Sequence, residues 1–279
     1  MKKVGQYKLL TRLGAGCDGD VWVAIDKDNN LVALKCFHSG SNSLAQGEYD
    51  CACQFEHPHL LHPLAFIADE EGAPLMVMPY CVGRSLDNLS GYFPEEKAWE
   101  LLCEISSALE YLHEEGWCHG DVKPSNVLWN NRAFLLADFG ACHRFLEKPA
   151  REDVSSFKFL APEKSRTDKS DIWSLGATVF NLIMGSSVFG GLGGSAQREN
   201  SPVPYMRRSM PALSELVCRC LSYHPESRPT ASEIRIIAQK ALSDYRTRKK
   251  KRPVRNRVEV VSEDSYGAFW PEVMKNVQV

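Results

Sequence analysis

The feature that most constrains this chain is a pair of acidic motifs near its centre. Residues 119–126 read HGDVKPSN, and residues 138–140, which begin twelve positions after the first motif ends, read DFG. Phosphoryl transfer needs one carboxylate at the acceptor hydroxyl, a second that holds Mg²⁺ on the phosphates, and an amide oxygen that completes the metal shell. Asp121, Asp138 and Asn126 could supply these groups. The spacing therefore predicts a fold that brings them together and favours an ATP-dependent phosphotransferase.

Length and composition limit the other classes of protein to which the chain could belong. The chain has 279 residues, enough for one large domain or two packed lobes, and its hydrophobic fraction of 44% is ordinary for a globular protein. No stretch reaches the roughly eighteen continuous apolar residues of a membrane span, and the N-terminus has no signal-peptide core. The ten cysteines show no zinc-type spacing. We expect a cytoplasmic protein, or one secreted into a host cell, that does not span a membrane.

Hydrophobic periodicity divides the chain in two. Residues 7–38 alternate like short strands, and the apolar run 75–78 has the length of a strand. Helical patterns cover residues 44–55, 94–113, 170–184, 211–222 and 230–245. The sequence predicts an α+β fold of two lobes: a small antiparallel β lobe with one main helix over 1–80 and a larger, mostly helical lobe over 81–245. A basic tail over 246–279 follows.

A glycine-rich turn lies between the first predicted strands. Residues 14–21 read GAGCDGDV and fit the pattern GxGxxGxV, in which glycines let backbone N–H groups approach phosphates. The turn joins two strands and lacks the Gly-Lys-Ser/Thr ending of a P-loop, which argues against other nucleotide-binding motifs. On its own, the pattern is also compatible with a simple tight turn.

A lysine on the next strand extends this pattern. Residues 32–35 read VALK, so that Lys35 lies fourteen positions after Val21. At this distance from the glycine-rich turn it could reach the α- and β-phosphates of a nucleotide, and Glu48 on the following helix could pair with it. A solvated lysine and a surface glutamate are the alternatives, and Glu56 is a second candidate partner.

Taken in order, these motifs resemble those of the eukaryotic-type protein kinase superfamily over roughly residues 7–242. The matching positions are Gly14, Gly16, Gly19, Lys35, Glu48, Asp121, Asn126 and Asp138. Three later segments are similar to the same family: 161–163 (APE), 171–176 (DIWSLG) and 224–230 (HPESRPT). The resemblance implies a bilobal protein-kinase-like fold and a serine/threonine protein kinase.

The resemblance also implies a set of site residues, with ATP and Mg²⁺ as cofactors. Asp121, Lys123, Lys35 and Glu48 would be catalytic, and Asn126 and Asp138 would hold the metal. The nucleotide-binding residues would be Gly14, Gly16, Gly19, Val21, Ala33, Lys35, Met78, Pro79, Cys81 and Leu128.

Within that set, Pro79 C=O and Cys81 N–H would bond the adenine, and Met78 would lie at the mouth of a back pocket. Outside it, the resemblance predicts that Glu163 pairs with Arg228 and that Asp171 braces the catalytic loop.

Gly120 departs from the family pattern. It replaces the arginine that in many members reads a phosphate on the activation segment, and Glu152 and Asp153 already place negative charge there. We therefore expect activity that does not depend on the usual phosphate switch. Ser156 would contact the catalytic aspartate and lysine by resemblance, and either Ser155 or Ser156 could be autophosphorylated.

Two other functions remain open at this point. The HGD motif is similar to that of aminoglycoside and choline phosphotransferases, which modify small molecules, whereas Lys123 favours a serine/threonine protein kinase. A nucleotide-binding pseudokinase scaffold is the second alternative. It is opposed by the presence of Lys35, Asp121, Asn126 and Asp138, since pseudokinases typically lack one of these.

The tail differs in charge from the rest of the chain. Residues 1–245 carry 24 basic and 31 acidic side chains, whereas residues 246–279 carry 9 and 4, and eight of the twelve residues in 246–257 are Lys or Arg. This segment could be a nuclear address, could contact an anionic membrane or the acidic body of the same chain, or could be a solvated tail. With few aromatic residues interleaved, it gives no strong nucleic-acid signal. The expected partner is a protein substrate, and the sequence leaves the oligomeric state undefined.

Overall fold

A computed structural model describes residues 3–16, 18–38, 40–83, 85–145, 147, 157–163, 166–207 and 209–251. The strands are β1 Lys3–Val4, β2 Tyr7–Ala15, β3 Gly19–Ile25, β4 Leu31–Phe37, β5 Ala65–Ala68, β6 Pro74–Pro79, β7 Trp117–Cys118, β8 Val127–Trp129, β9 Phe134–Leu136 and β10 His143–Arg144. The helices are α1 Asn42–Cys53, α2 Glu95–Glu114, α3 Asp168–Met184, α4 Pro211–Cys220 and α5 Ala231–Lys251.

The first lobe is built on one antiparallel sheet. Its strands lie in the order β1-β2-β3-β4-β6-β5, and the register places Val21 opposite Lys35 and Ala33 opposite Met78. Side chains alternate between the two faces of a strand, and Leu34 and Leu75 are buried on one face of this sheet. The sheet therefore carries the predicted nucleotide-binding strand residues on neighbouring strands.

Helix α1 packs on this sheet through a buried stripe. Ala45, Glu48 and Cys51 recur every three residues, the spacing that places side chains on one helical face. Ala45 contributes to a small core with Phe37 and Met76. The stripe holds α1 in one orientation and turns the only acidic member, Glu48, towards the sheet.

Helix α3 is the central element of the second lobe. Fourteen of its seventeen residues are buried, so it is a core helix surrounded by protein rather than an amphipathic surface helix. A capping box between Thr167 and Ser170 starts it, and Gly185 in the left-handed region ends it. Nearby, buried Arg228 donates to both carboxylate oxygens of Glu163 at 2.6 and 2.8 Å, the ion pair expected from the sequence.

The bilobal α+β prediction is confirmed, with differences at the ends of elements. Helix α1 begins and ends two residues earlier than the predicted 44–55. Helix α5 continues past residue 245, where the basic tail was expected to begin, and ends at Lys251. Between α3 and α4, a glycine-rich stretch contains a 3-10 turn over Gly190–Ala196.

The long last helix lies antiparallel along α2, with Ile234 and Ala238 buried in the core and ion pairs to α2 near both ends. Arg235 pairs with Glu110 near one end, while Arg246 pairs with Glu96 and Glu100 near the other. The pairing fixes the start of the basic segment on the acidic body. Across the described ranges, no helix is long and apolar enough to cross a membrane.

Candidate active site

A cavity of about 450 Å³ separates the two lobes and is lined by every site residue predicted from the sequence. These are Gly14, Gly16, Gly19, Val21, Ala33, Lys35, Glu48, Met78, Pro79, Cys81, Asp121, Lys123, Asn126, Leu128 and Asp138. They come from five strands (β2, β3, β4, β6 and β8), from helix α1 and from the loops between elements, so the cavity forms only when the two lobes meet.

The glycine-rich turn between β2 and β3 forms the roof of the cavity. Gly16 N–H donates to the Gly19 carbonyl at 2.8 Å, which closes the turn, and Arg12 pairs with Asp20 across the two strands. A side chain added at Gly14 would meet no atom within 4 Å. The turn is therefore tied at its base, and its backbone is open towards the cavity.

Lys35 and Glu48 form a buried ion pair at the centre of the first lobe. Lys35 Nζ donates to both carboxylate oxygens of Glu48, at 2.6 and 2.7 Å, and lies 3.6 Å from Asp138 Oδ1. Burial opposes the charge of Lys35, but the carboxylates of Asp138 and Glu48 outweigh it and raise the lysine pKa. Lys35 is therefore a fixed cation directed at the metal-binding aspartate expected from the sequence.

Burial and the neighbouring charges shift the pKa values of Glu48 and Asp138, the two carboxylates next to Lys35, in opposite directions. Burial raises the pKa of Glu48 to about 7, against the opposing effect of Lys35. For Asp138, burial also opposes ionisation, but the charges of Lys35 and Lys123 hold its pKa below the usual value. The Asp138 side chain is 41% exposed, to the cavity, which leaves it accessible to a ligand.

Asp121, Lys123 and Asn126 form a second cluster below the cavity. Lys123 Nζ lies 2.6 Å from Asp121 Oδ2. The side-chain amide of Asn126 donates to the same carboxylate oxygen at 3.0 Å and to the Asp121 carbonyl at 2.9 Å. Its nitrogen is thus engaged with Asp121, and its oxygen is the atom that a cation could take.

The donor set fits the cofactors that the sequence predicts. An amide oxygen from Asn126 and an ionised carboxylate from Asp138 are hard oxygen ligands of the kind that Mg²⁺ prefers. Lys35 and the open backbone of the glycine-rich turn face the same cavity, where phosphates would be stabilised.

The catalytic loop is anchored to α3 by Asp171. Its carboxylate accepts the backbone N–H groups of His119 and Gly120, each at 2.8 Å, and His113 Nε2 lies 3.0 Å from it. Burial works against ionisation of this aspartate, but the hydrogen bond and charge of His113 hold its pKa below the usual value. Asp171 thus braces the loop, as expected from the sequence.

The backbone conformation and close packing at position 120 favour glycine. Its φ is +77°, in the left-handed region, and a Cβ there would lie 2.6 Å from the carbonyl oxygen of Ala141. The contact joins the catalytic loop to the segment that follows Asp138. In this conformation of the protein, any larger residue at position 120 must displace one of the two.

An apolar floor completes the cavity. Leu61, Cys81, Leu135 and Ala137 form a small core, against which Met78 and Leu128 pack. Burial raises the pKa of the Cys81 thiol to about 11, so it is protonated at neutral pH. Ala33 of the first lobe and Leu128 of the second also line the cavity, so it presents apolar side chains from both lobes, which suits an aromatic ring.

Sequence reasoning missed some lining residues. Leu61 lies between elements and carries no periodic signal, whereas Ala137, which directly precedes Asp138, could have been found from its place beside the motif. Asp18, Ser85 and Asp87 also reach the cavity from turns. The predictions for residues 152–156, including Glu152, Asp153, Ser155 and Ser156, lie outside the described residues.

A family model described as "Protein kinase domain" matches residues 7–238 of the chain. The serine/threonine-protein kinase ppk11 of Schizosaccharomyces pombe is 31% identical over 249 residues, which cover 81% of this chain and 78% of that protein. Sporulation-specific protein 1 of Saccharomyces cerevisiae is 28% identical over 309 residues, or 95% of this chain and 62% of that protein.

Cytokinesis protein sepH of Aspergillus terreus is 28% identical over 245 residues, or 82% of this chain and 18% of that protein. The chain thus spans less than two thirds of the length of the Saccharomyces cerevisiae and Aspergillus terreus relatives.

The Gly120 contact gives a stability prediction. Gly120→Ala should lower the free energy of unfolding by about 1–2 kcal/mol for the left-handed backbone and a further ~1–3 kcal/mol for the contact with Ala141. Gly116→Ala is the matched control, because Gly116 has a φ of +79° and open space around it, so only the first cost applies. Urea denaturation measures both, and equal losses would contradict the contact.

The buried glutamate gives a pH prediction. A carboxyl whose pKa rises on folding, here from 4.5 to about 7, binds more protons in the folded than in the unfolded state between these values. The free energy of unfolding of the wild type, relative to Glu48→Gln, should therefore fall as pH rises through this window. The slope should not exceed about 1.4 kcal/mol per pH unit.

Denaturation midpoints across this pH range measure that difference. Glu56→Gln should keep the wild-type profile, because the exposed Glu56 takes no part in the pair. A difference between wild type and Glu48→Gln that stays level or rises would show that Glu48 is ionised throughout.

Proposed function

Because this chain belongs to the protein kinase family, we propose that it transfers the γ-phosphate of MgATP to a serine or threonine hydroxyl of a protein. The observation that carries the proposal is the meeting of Asp121, Asn126, Asp138 and Lys35 around one cavity. The kinase unit would comprise an N-terminal lobe over 1–80 and a C-terminal lobe over 81–245.

Each predicted site residue has a role in binding MgATP that follows from its position in the cavity. The glycine-rich turn covers the phosphates, and Lys35, held by Glu48, orients them. Asp138 and Asn126 would hold Mg²⁺. MgATP would supply the transferable phosphoryl group together with the divalent charge that neutralises its oxygens. Adenine would lie against the apolar residues of the cavity, where Pro79 C=O would accept and Cys81 N–H would donate.

Asp121 acts on the acceptor. Its carboxylate accepts the proton of the substrate hydroxyl, while Lys123, 2.6 Å away, offsets the charge that develops on the phosphoryl oxygens. Asn126 fixes the rotamer of Asp121 through its amide. This pre-positioning removes the cost of ordering the carboxylate at the moment of transfer.

The activity would not depend on a phosphate held by the catalytic loop. Gly120 has no side chain with which to bind one, and its backbone is engaged with Asp171 and packed close to Ala141. Loop position is set by these contacts instead.

The basic segment that begins at Arg246 would bind acidic residues of its own chain before any outside partner. Arg246 pairs with Glu96 and Glu100, and Lys249 Nζ lies 2.9 Å from Glu96. An anionic surface would have to compete with these carboxylates for the same cations.

Asp121→Asn tests the central role. The variant should lose phosphoryl transfer by a factor of about 10³ or more and keep nucleotide binding, because Asp121 handles the acceptor proton and not the nucleotide. Transfer is measured with γ-labelled ATP and Mg²⁺, with a generic basic protein and an aminoglycoside panel as acceptors. Binding is measured by calorimetry.

Label on protein serine or threonine, absent in Asp121→Asn, supports the proposal. Label on an aminoglycoside alone would establish the small-molecule phosphotransferase instead, and nucleotide binding without any transfer would establish the scaffold. Lost nucleotide binding in Asp121→Asn would show that the role is wrongly assigned.

Phosphatase treatment tests the regulatory part. Activity of the purified protein should stay within about twofold after complete dephosphorylation, since Gly120 offers no cation to a loop phosphate. Mass spectrometry confirms that phosphate has been removed. A collapse in activity that returns on rephosphorylation would overturn this part of the proposal.

A further inference from the structure

The aromatic ring of Phe37 lies against the ammonium of Lys35. The two residues are two positions apart on β4, so their side chains leave the same face of the strand. Lys35 Nζ lies over the Phe37 ring, 5.0 Å from its centre. The negative face of an aromatic ring attracts a cation at this distance, and the attraction is strongest where water is excluded. Lys35 is only 8% exposed, so the contact lies in such an environment.

The Phe37 ring has a fixed position. It is buried and packs with Ala45 of α1 and Met76 of β6 in a small core. The backbone of Phe37 pairs with that of Gly19, where the glycine-rich turn ends. A Cβ at Gly19 would lie 2.8 Å from the Phe37 Cα, so the two strands pack here without room for a side chain. The ring therefore cannot turn away from Lys35 without disturbing this core.

The ring acts on Lys35 in a different way from the two carboxylates. Glu48 is on α1 and Asp138 follows β9, and their carboxylate oxygens lie 2.6 and 3.6 Å from Lys35 Nζ. The positions of both carboxylates depend on how α1 and the second lobe are seated against the sheet. Phe37 is on the same strand as Lys35, so it keeps its place beside the lysine when either of those elements moves. Such a contact orders the ammonium before a ligand binds, which lowers the entropic cost of binding.

We propose that Phe37 is a positioning residue for the phosphate-binding lysine: its ring holds the Lys35 ammonium where the α- and β-phosphates of a nucleotide would meet it. This inference rests on the proposed kinase function. It extends that function to a residue that lies outside the sequence motifs. Packing alone does not require a ring at position 37, because an aliphatic side chain such as leucine fills much of the same space.

The first test changes the charge of the ring face and keeps the packing. Phe37 is replaced in turn by monofluoro-, difluoro- and trifluorophenylalanine, because each fluorine draws electron density from the ring face while the ring keeps nearly the same shape. Affinity for ATP, measured by calorimetry, should fall stepwise and reach a loss of about three- to tenfold in the trifluoro protein. Affinity for adenosine, which has no phosphate for Lys35 to bind, should stay within about twofold.

Phe66 provides the matched control for this series. It packs against the same small core, and its neighbour is the Tyr49 ring, with 5.1 Å between the ring centres. The same three amino acids at position 66 should change the affinity for ATP by less than about twofold. Phe37→Leu, in contrast, should raise the KM for ATP as the trifluoro ring does and leave the KM for a protein acceptor unchanged.

A second test needs no nucleotide. Lys35→Met combined with Glu48→Gln removes the ammonium together with the carboxylate that it pairs with. In this background, Phe37→Leu should lower the urea midpoint clearly less than it does in the otherwise wild-type protein, because only the latter loses a contact with a cation. Equal losses in the two backgrounds would show that the ring serves packing alone.

ATP affinity that stays flat across the fluorinated series, or adenosine affinity that falls together with it, would overturn the inference. A stepwise loss of ATP affinity in a protein that transfers no phosphate would support the role of Phe37 and count against the kinase mechanism. Phosphoryl transfer by the wild type together with a flat series would do the reverse. The two proposals therefore fail separately.

Discussion

The buried carboxylate of Asp171 is the interaction on which the rest of the active site depends. A charge with no water around it is stable only when donors surround it, and here two loop amides and His113 supply them. The helix that carries this carboxylate is buried along most of its length. A helix buried in the core of the second lobe thus determines the path of the loop that holds Asp121.

The Lys35–Glu48 pair has the corresponding place in the first lobe, but the charge of Glu48 is stabilised in a different way from that of Asp171. Asp171 is satisfied by dipoles and a ring nitrogen, whereas Glu48 depends on one cation that it shares with Asp138. Both burial and the charge of Asp138 raise the pKa of Glu48. A divalent cation on Asp138 would relieve part of that cost, so ligand binding and the seating of α1 favour each other.

Most of the site could be predicted from the sequence because its polar residues lie in short motifs whose chemistry admits few alternatives. Lys35, Asp121 and Asp138 are examples, and the order of the motifs gave the family and the fold. Leu61 could not be predicted, because its place at the floor depends on a long-range backbone hydrogen bond from its N–H to the Leu136 carbonyl on β9. The extent of α5 was hidden as well: its charged end looks like a solvated tail until the carboxylates of α2 are placed beside it.

The glycine-rich stretch before α4 carries a consequence for how this protein can vary. Composition alone suggests a linker free to drift, yet Gly193 and Gly194 lie against the backbone of residues 157–162 with no room for a Cβ. Mutation there would displace the turn Phe157–Phe159 as directly as mutation of the turn itself. At these two positions a surface segment whose composition suggests tolerance therefore has as little room for a side chain as the core.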